Sequence, residues 1–107
     1  MLLLTEATVH MLDIDPEVQR AFYNGSHERL TWQECQVLWM LYCKAGDEVP
    51  MTRIVEQIYR DKYPILPTER SIRTSVYRVR LKLNRLTGGT WVIETTQTNG
   101  YRLEPPD

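Results

Sequence analysis

A chain of 107 residues is long enough for one compact domain and too short for two. Its 42% hydrophobic and 25% charged residues exclude a disordered or fibrous class, and no apolar run approaches the roughly 18 residues of a membrane span. The net charge of −1 hides an uneven distribution: Arg70 to Ile93 carries six basic residues and no acidic one, whereas the remainder carries seven basic and fourteen acidic.

Met1-Leu2-Leu3-Leu4 lacks a basic flank and Glu6 soon interrupts it, so a signal peptide is not expected and the protein reads as soluble and cytoplasmic. Residues 1–30 read as a small antiparallel sheet. Thr8 to Ile14 is rich in β-branched and apolar residues and stops at Asp15-Pro16. Val18 to Tyr23 then runs into Asn24-Gly25, the strongest short hairpin signal, and Ser26 to Leu30 is the return strand.

Thr31-Trp32-Gln33-Glu34 matches a capping box, with Thr31 as N-cap and Glu34 reaching back to it. Val37, Leu38, Leu41, Tyr42 and Ala45 follow at helical spacing, and Gly46 is the expected C-cap. Cys35 and Cys43 stand about 12 Å apart along such a helix, too far for a disulfide. Two buried free thiols are expected. Thr52 is the candidate N-cap of a second, short helix with Ile54, Val55, Ile58 and Tyr59 on one stripe, ending near Arg60 or Asp61. Pro64 and Pro67 make residues 61–67 a loop.

Thr68 caps a third helix over about 69–86, with Glu69 in the first turn. At about 100° per residue, Ile72, Val76, Val79, Leu83 and Leu86 form one stripe that must face the core. The opposite face presents Arg70, Arg73, Thr74, Tyr77, Arg78, Leu81 and Arg85, with Arg80 and Lys82 on the flanks. Gly88-Gly89 stops the helix. Residues 91–103 read as a β-hairpin turning around Gln97-Thr98-Asn99-Gly100. The whole is an α+β chain of a single domain: an N-terminal sheet (1–30), a three-helix core (31–86) and a hairpin (91–103).

A helix with an apolar back and a front of Arg, Thr and Tyr suits the major groove of DNA, where arginine pairs with guanine or phosphate and threonine meets thymine methyl or phosphate. Solvated helices usually mix charge signs for i,i+4 pairing. Here acids are absent over 24 residues of an otherwise acid-rich chain. There is no phosphate loop, metal-ligand spacing, nucleophile motif or carboxylate pair, so neither an enzyme nor a cofactor is expected. His10 and His27 are isolated, and Trp32, Trp39 and Trp91 read as packing residues.

Four segments together resemble the OmpR/PhoB-type winged helix–turn–helix family, the output domains of bacterial two-component response regulators. They are LTWQECQVLWML at 30–41, VPMTRIVEQIY at 49–59, RSIRTSVYRVRLKL at 70–83 and VIETTQTNGYRL at 92–103. The resemblance implies a four-stranded N-terminal sheet, three helices and a C-terminal wing. It also implies sequence-specific, head-to-tail dimeric binding to tandem repeats in double-stranded DNA, and a 60–68 loop that touches RNA polymerase. Carried across, Arg70 and Ser71 fall where the family contacts phosphate. Arg73, Thr74, Tyr77 and Arg78 fall on groove-facing positions, Arg80 on a family arginine near the backbone or core acids, and Thr95 on a phosphate-meeting wing position. Three positions depart from the family pattern. Arg73 stands where an acid is usual, Tyr77 where a basic or polar residue is frequent, and Gln97 at the wing tip where Arg or Lys often enters the minor groove.

No receiver domain precedes the module in this sequence, which implies an excised output domain or a stand-alone regulator controlled by abundance, a partner or cooperative binding. The alternative function is a protein-interaction co-regulator on the same fold, docking on RNA polymerase or another regulator without reading DNA.

Overall fold

The structure, a computed structural model, describes residues 11–106. Its elements run β1 (Leu12–Asp15), β2 (Arg20–Tyr23), β3 (Ser26–Arg29), α1 (Trp32–Cys43), β4 (Glu48–Pro50), α2 (Met51–Asp61), α3 (Glu69–Thr87), β5 (Val92–Thr95) and β6 (Gly100–Glu104).

The first sheet is antiparallel in the order β1-β2-β3. Asn24 and Gly25 both take positive φ (48° and 82°), the conformation that matches a two-residue turn to the twist of its strands. Leu12, Ile14, Ala21 and Tyr23 alternate onto the buried face. The expected strand from Val18 begins two residues later. Asp15 Oδ1 accepts the N–H groups of Glu17 (3.0 Å) and Val18 (3.4 Å), and Gln19 takes φ 55°, so a side-chain-closed turn occupies residues 16–19. Three strands of this sheet are described. The Thr8–His10 part of the expected first strand lies outside the described residues.

Helix α1 carries its capping box: Thr31 Oγ1 accepts the Glu34 N–H at 3.2 Å, and Glu34 Oε1 accepts the Thr31 N–H at 2.9 Å. It ends earlier than expected, with Lys44 rather than Gly46 at the C-cap. Gly46 is instead tied to the second sheet, its N–H donating to Leu103 O at 2.8 Å. Cys35 is buried, and desolvation raises its thiol pKa and keeps it protonated; Cys43 is exposed, against expectation.

The second sheet has the order β4-β6-β5, all antiparallel. Strand β4 is not foreseen by the sequence, because three residues ending in proline show no alternation. Pro50 closes that strand and is also the N-cap of α2, so Thr52 is not the cap. The chain enters α2 straight from the sheet, and the Met51 N–H is satisfied by Asn99 O at 3.0 Å across the hairpin turn.

Helix α3 starts at the expected cap, with Thr68 Oγ1 accepting the Ser71 N–H at 3.0 Å, and stops at Gly88 in the left-handed region (φ 66°). Ile72, Val76, Val79 and Leu83 are buried, and they join residues of α1, α2 and both sheets in one core. Leu86 packs against it, as do Trp32, Trp39 and Trp91.

Glycine is required at position 100 by close approach. A Cβ there would lie 2.7 Å from Val49 O and 3.0 Å from Pro50 Cα, both backbone atoms of β4. Gly100→Ala is expected to destabilise the domain by about 1–3 kcal/mol, the usual range for overpacking. The check is the urea midpoint.

Candidate nucleic-acid interface

Helix α3 lies with its apolar stripe inward and Arg70, Arg73, Thr74, Tyr77, Arg78, Leu81 and Arg85 exposed, as its periodicity predicts. The structure divides the basic block in two by what each cation touches.

In the C-terminal half, every cation has an internal partner. Lys82 Nζ donates to Glu34 Oε1 at 2.6 Å and to Arg29 O at 2.8 Å. Arg85 grips both carboxylate oxygens of Glu28, at 3.0 and 3.2 Å. Arg80 Nε donates to Ile93 O at 2.9 Å and its Nη2 to Thr95 Oγ1 at 2.7 Å, with the guanidinium 5.8 Å from the Tyr101 ring centroid. Arg80 and Thr95, both expected at DNA, therefore hold each other across the joint between α3 and β5.

The N-terminal half is different. The guanidinium groups of Arg70 and Arg78 make no ion pair or hydrogen bond with the described residues. Arg73 meets only Glu69 one turn earlier, at 3.1 Å with both side chains half exposed, an arrangement that costs little to open. Ser71 is anchored: its hydroxyl donates to Thr68 O at 2.9 Å and accepts from Gln33 Nε2 at 3.4 Å. The same Gln33 amide donates to Ser71 O at 3.2 Å and to Ser75 Oγ at 3.0 Å, pinning α1 to the start of α3. Sequence reasoning missed Gln33 and Ser75. Their only signal was a polar residue within the capping-box tetrad and a serine at the edge of the apolar stripe of α3. Thr74 Oγ1 donates to Arg70 O at 3.1 Å within the helix.

Strands β5 and β6 form the hairpin that follows. Its tip is bound to the body by an acid, since the Glu48 carboxylate accepts hydrogen bonds from the Thr96 and Thr98 hydroxyls. These bonds lower the Glu48 pKa, helped by the charge of Arg102 and opposed by desolvation. Gln97 projects at the tip, exposed and with no partner among the described side chains. Among the described residues, no three His, Cys, Asp or Glu side chains gather to hold a metal, and no helix is long and apolar enough to cross a membrane.

Among the described residues, three helices, one of them basic on its exposed face and followed by a β-hairpin, define a winged helix–turn–helix of α+β class. The family model "Transcriptional regulatory protein, C terminal" matches residues 25–103, and the chain belongs to that family, the OmpR/PhoB-type C-terminal DNA-binding domains. It is a transcription-regulator DNA-binding domain, not an enzyme. Solved structures share the fold at low identity. The DNA-binding domain of E. coli CadC aligns at TM-score 0.75 and 18% identity, over 92% of this chain and 90% of that one. The DNA-binding domain of E. coli CpxR aligns at 0.72 and 22%, over 92% and 95%. The Klebsiella pneumoniae RstA DNA-binding domain, solved in complex with the RstA box, aligns at 0.65 and 23%, over 88% and 91%. A search of curated proteins gives no match.

Two outcomes are expected from the charge pairs. Glu34 is 2% exposed and Lys82 22%, so Lys82→Ala strands a buried carboxylate and should cost about 3 kcal/mol in chemical denaturation. Replacing the pair together, as Glu34→Leu with Lys82→Met, should recover much of that loss. Glu28 is the second case. Its hydrogen bonds from Arg85, and the charges of Arg85 and Lys82, hold its carboxyl below the ordinary carboxylate range against desolvation. A lowered folded-state pKa contributes stability that is fully present above the unfolded value, about 4.3, and is lost as pH falls through the folded one. Thermal melts of Glu28→Gln should therefore show a flatter acid limb than the native chain, with the two curves converging at low pH.

Proposed function

We propose that this domain recognises a specific DNA sequence by laying the N-terminal half of α3 in the major groove, with a second copy head to tail on a tandem repeat. The observation that carries this reading is the division of α3. Its three C-terminal cations are each bonded to another element of the fold, Arg85 while still exposed, whereas the side chains of Arg70 and Arg78 stand unpaired among the described side chains beside exposed Thr74 and Tyr77. Recognition helices generally meet base edges with their N-terminal residues. Structures of two similar domains in complex with DNA, RstA with its box and AdeR with an intercistronic region, support DNA binding.

Within this reading each residue has a task. Arg70 neutralises phosphate at the helix start. Arg73, Thr74, Tyr77 and Arg78 face the bases, with Arg78 the principal guanine reader through its bidentate fork. Ser71 acts by fixing the first turn through Thr68 and Gln33. Arg80 and Thr95 orient the wing and offer phosphate their remaining capacity, since two bonds leave a guanidinium with unused donors. Gln97 at the tip meets the backbone or the minor-groove edge without adding charge. One module of this kind buries only about 600–1,000 Å², which favours paired half-sites for tight binding.

A contact with RNA polymerase is assigned to the 60–68 segment. Tyr63, Ile65 and Leu66 are all exposed there, three large apolar side chains within four residues. Lys62 Nζ sits 4.8 Å from the Trp32 ring centroid and holds the start of this loop against α1.

The test is the salt dependence of binding to a random DNA pool. The native chain should lose affinity steeply with salt, Arg70→Ala should flatten the log–log slope by about one, and Arg73→Ala with Arg78→Ala should weaken binding to selected sites and relax their base preference. Sites selected from the pool should contain a tandem repeat. Native protein that ignores DNA at low salt would sink the reading and leave α3 as a docking face for an acidic protein.

A further inference from the structure

The exposed face of α3 is less polar than its arginine count suggests. Tyr77 is 62% exposed and Leu81 46%, and they stand one turn apart on the same side as Arg78. Thr74 joins them. Its hydroxyl is turned back to Arg70 O, so the group it has left to present outward is its methyl. The Thr74 methyl, the Tyr77 ring and the Leu81 side chain thus lie on the same exposed helix face as Arg78.

We propose that Tyr77 and Leu81, with the Thr74 methyl, make this domain selective for thymine beside the guanine that Arg78 reads, through contact with the thymine C5-methyl group. The inference rests on the DNA-reading function proposed above and adds Leu81 as a specificity-determining residue. The chemical argument is one of elimination. The major-groove edges of the four unmodified bases offer hydrogen-bond donors, acceptors and a single kind of apolar group, the thymine methyl. An apolar side chain pressed against any other edge would desolvate a donor or acceptor without replacing its water bonds. Tyr77 and Leu81 are separated by about 6 Å along the helix axis, close to two base steps at about 3.4 Å each. One helix turn can therefore reach two thymines that lie two base steps apart, on either side of the guanine that pairs with Arg78.

The experiment uses a site selected from the random pool by the native chain. Each thymine is replaced in turn by deoxyuridine, which keeps the pairing edge and O4 and removes only the methyl group. Affinities are read by fluorescence anisotropy at one fixed salt concentration. At one or two positions next to a guanine, native protein should bind the uracil site about three- to fivefold more weakly per methyl, the value of one buried methyl-sized group. At those positions Leu81→Ala or Tyr77→Ala should bind the thymine and uracil sites equally. Both side chains are exposed, so neither variant removes a core contact. Native protein that binds the selected site with normal salt dependence but is indifferent to every uracil would overturn the methyl reading and leave DNA recognition standing. Methyl discrimination that survives in both variants would overturn the assignment to Tyr77 and Leu81. No binding to DNA at low salt would overturn both proposals.

Discussion

The buried ion pair between Glu34 and Lys82 is the contact on which the geometry of this domain depends. One carboxylate oxygen of Glu34 closes the capping box of α1 and also receives the ammonium of α3, which in turn bonds a carbonyl at the end of β3. The first sheet, α1 and α3 therefore meet at a single charged point. Such a pair contributes little net stability, because desolvating both ions offsets most of their attraction. Its consequence is positional. A helix that packs through Ile72, Val76, Val79 and Leu83 could rotate or slide by small amounts at low cost in apolar area. A slide of one turn would leave Glu34 buried without its cation. The pair thereby fixes which residues of α3 face outward, and with that which of its arginines can reach a ligand.

The acids that neutralise the helix come from far along the chain. Glu28 and Glu34 reach Arg85 and Lys82 across separations of 57 and 48 residues. Charge counting along α3 finds no acid between Arg70 and Ile93, and by that measure all six cations are equivalent. Folding makes them unequal. The C-terminal end is pinned to the sheet and the wing, and the free positive charge gathers toward the N-terminal half, where the helix dipole also favours an anion. Under the proposed function, the gradient, more than the total of six, would give the helix a direction on a polyanion.

Much of this was legible in the sequence, and the reasons differ by element. Helices α1 and α3 announce themselves through side-chain caps at Thr31 and Thr68 and through long apolar periodicity, and the Asn24-Gly25 turn fixes the hairpin register. These signals are local, so one chain suffices to read them. Strand β4 and the start of α2 are not local. Val49 and Pro50 become a strand because β6 lies beside them, and α2 begins without a side-chain cap because Asn99 supplies the missing acceptor. Gly46 misleads for a related reason: its bond partner is Leu103, not its own helix. For the site, the exposed face of α3 was readable from its period. The division between structural and free arginines was not, because it depends on Glu28, Glu34 and the wing carbonyl at Ile93, none adjacent in sequence.

The wing shows the same logic carried to a second surface. It is held at its base by Arg80 and at its tip by Glu48 and the Asn99–Met51 bond. With both ends fixed, α3 and the hairpin present one rigid surface, and little backbone remains to be ordered on binding. What remains to be ordered is side chain: Arg70, Arg73, Arg78 and Gln97. Ordering a long side chain costs about 0.5–1.5 kcal/mol. That cost is recovered only where phosphate or a base edge meets the guanidinium in its fork geometry, so a mismatched site leaves it uncompensated. Under the proposed function, a fixed frame carrying a few loose cations would turn a general attraction to DNA into a preference among sequences. The acid at the wing tip works in the same sense. In the proposed DNA-reading role, Gln97 at the tip and the Glu48 carboxylate behind it add no positive charge, which would hold sequence-independent attraction down and leave discrimination to α3.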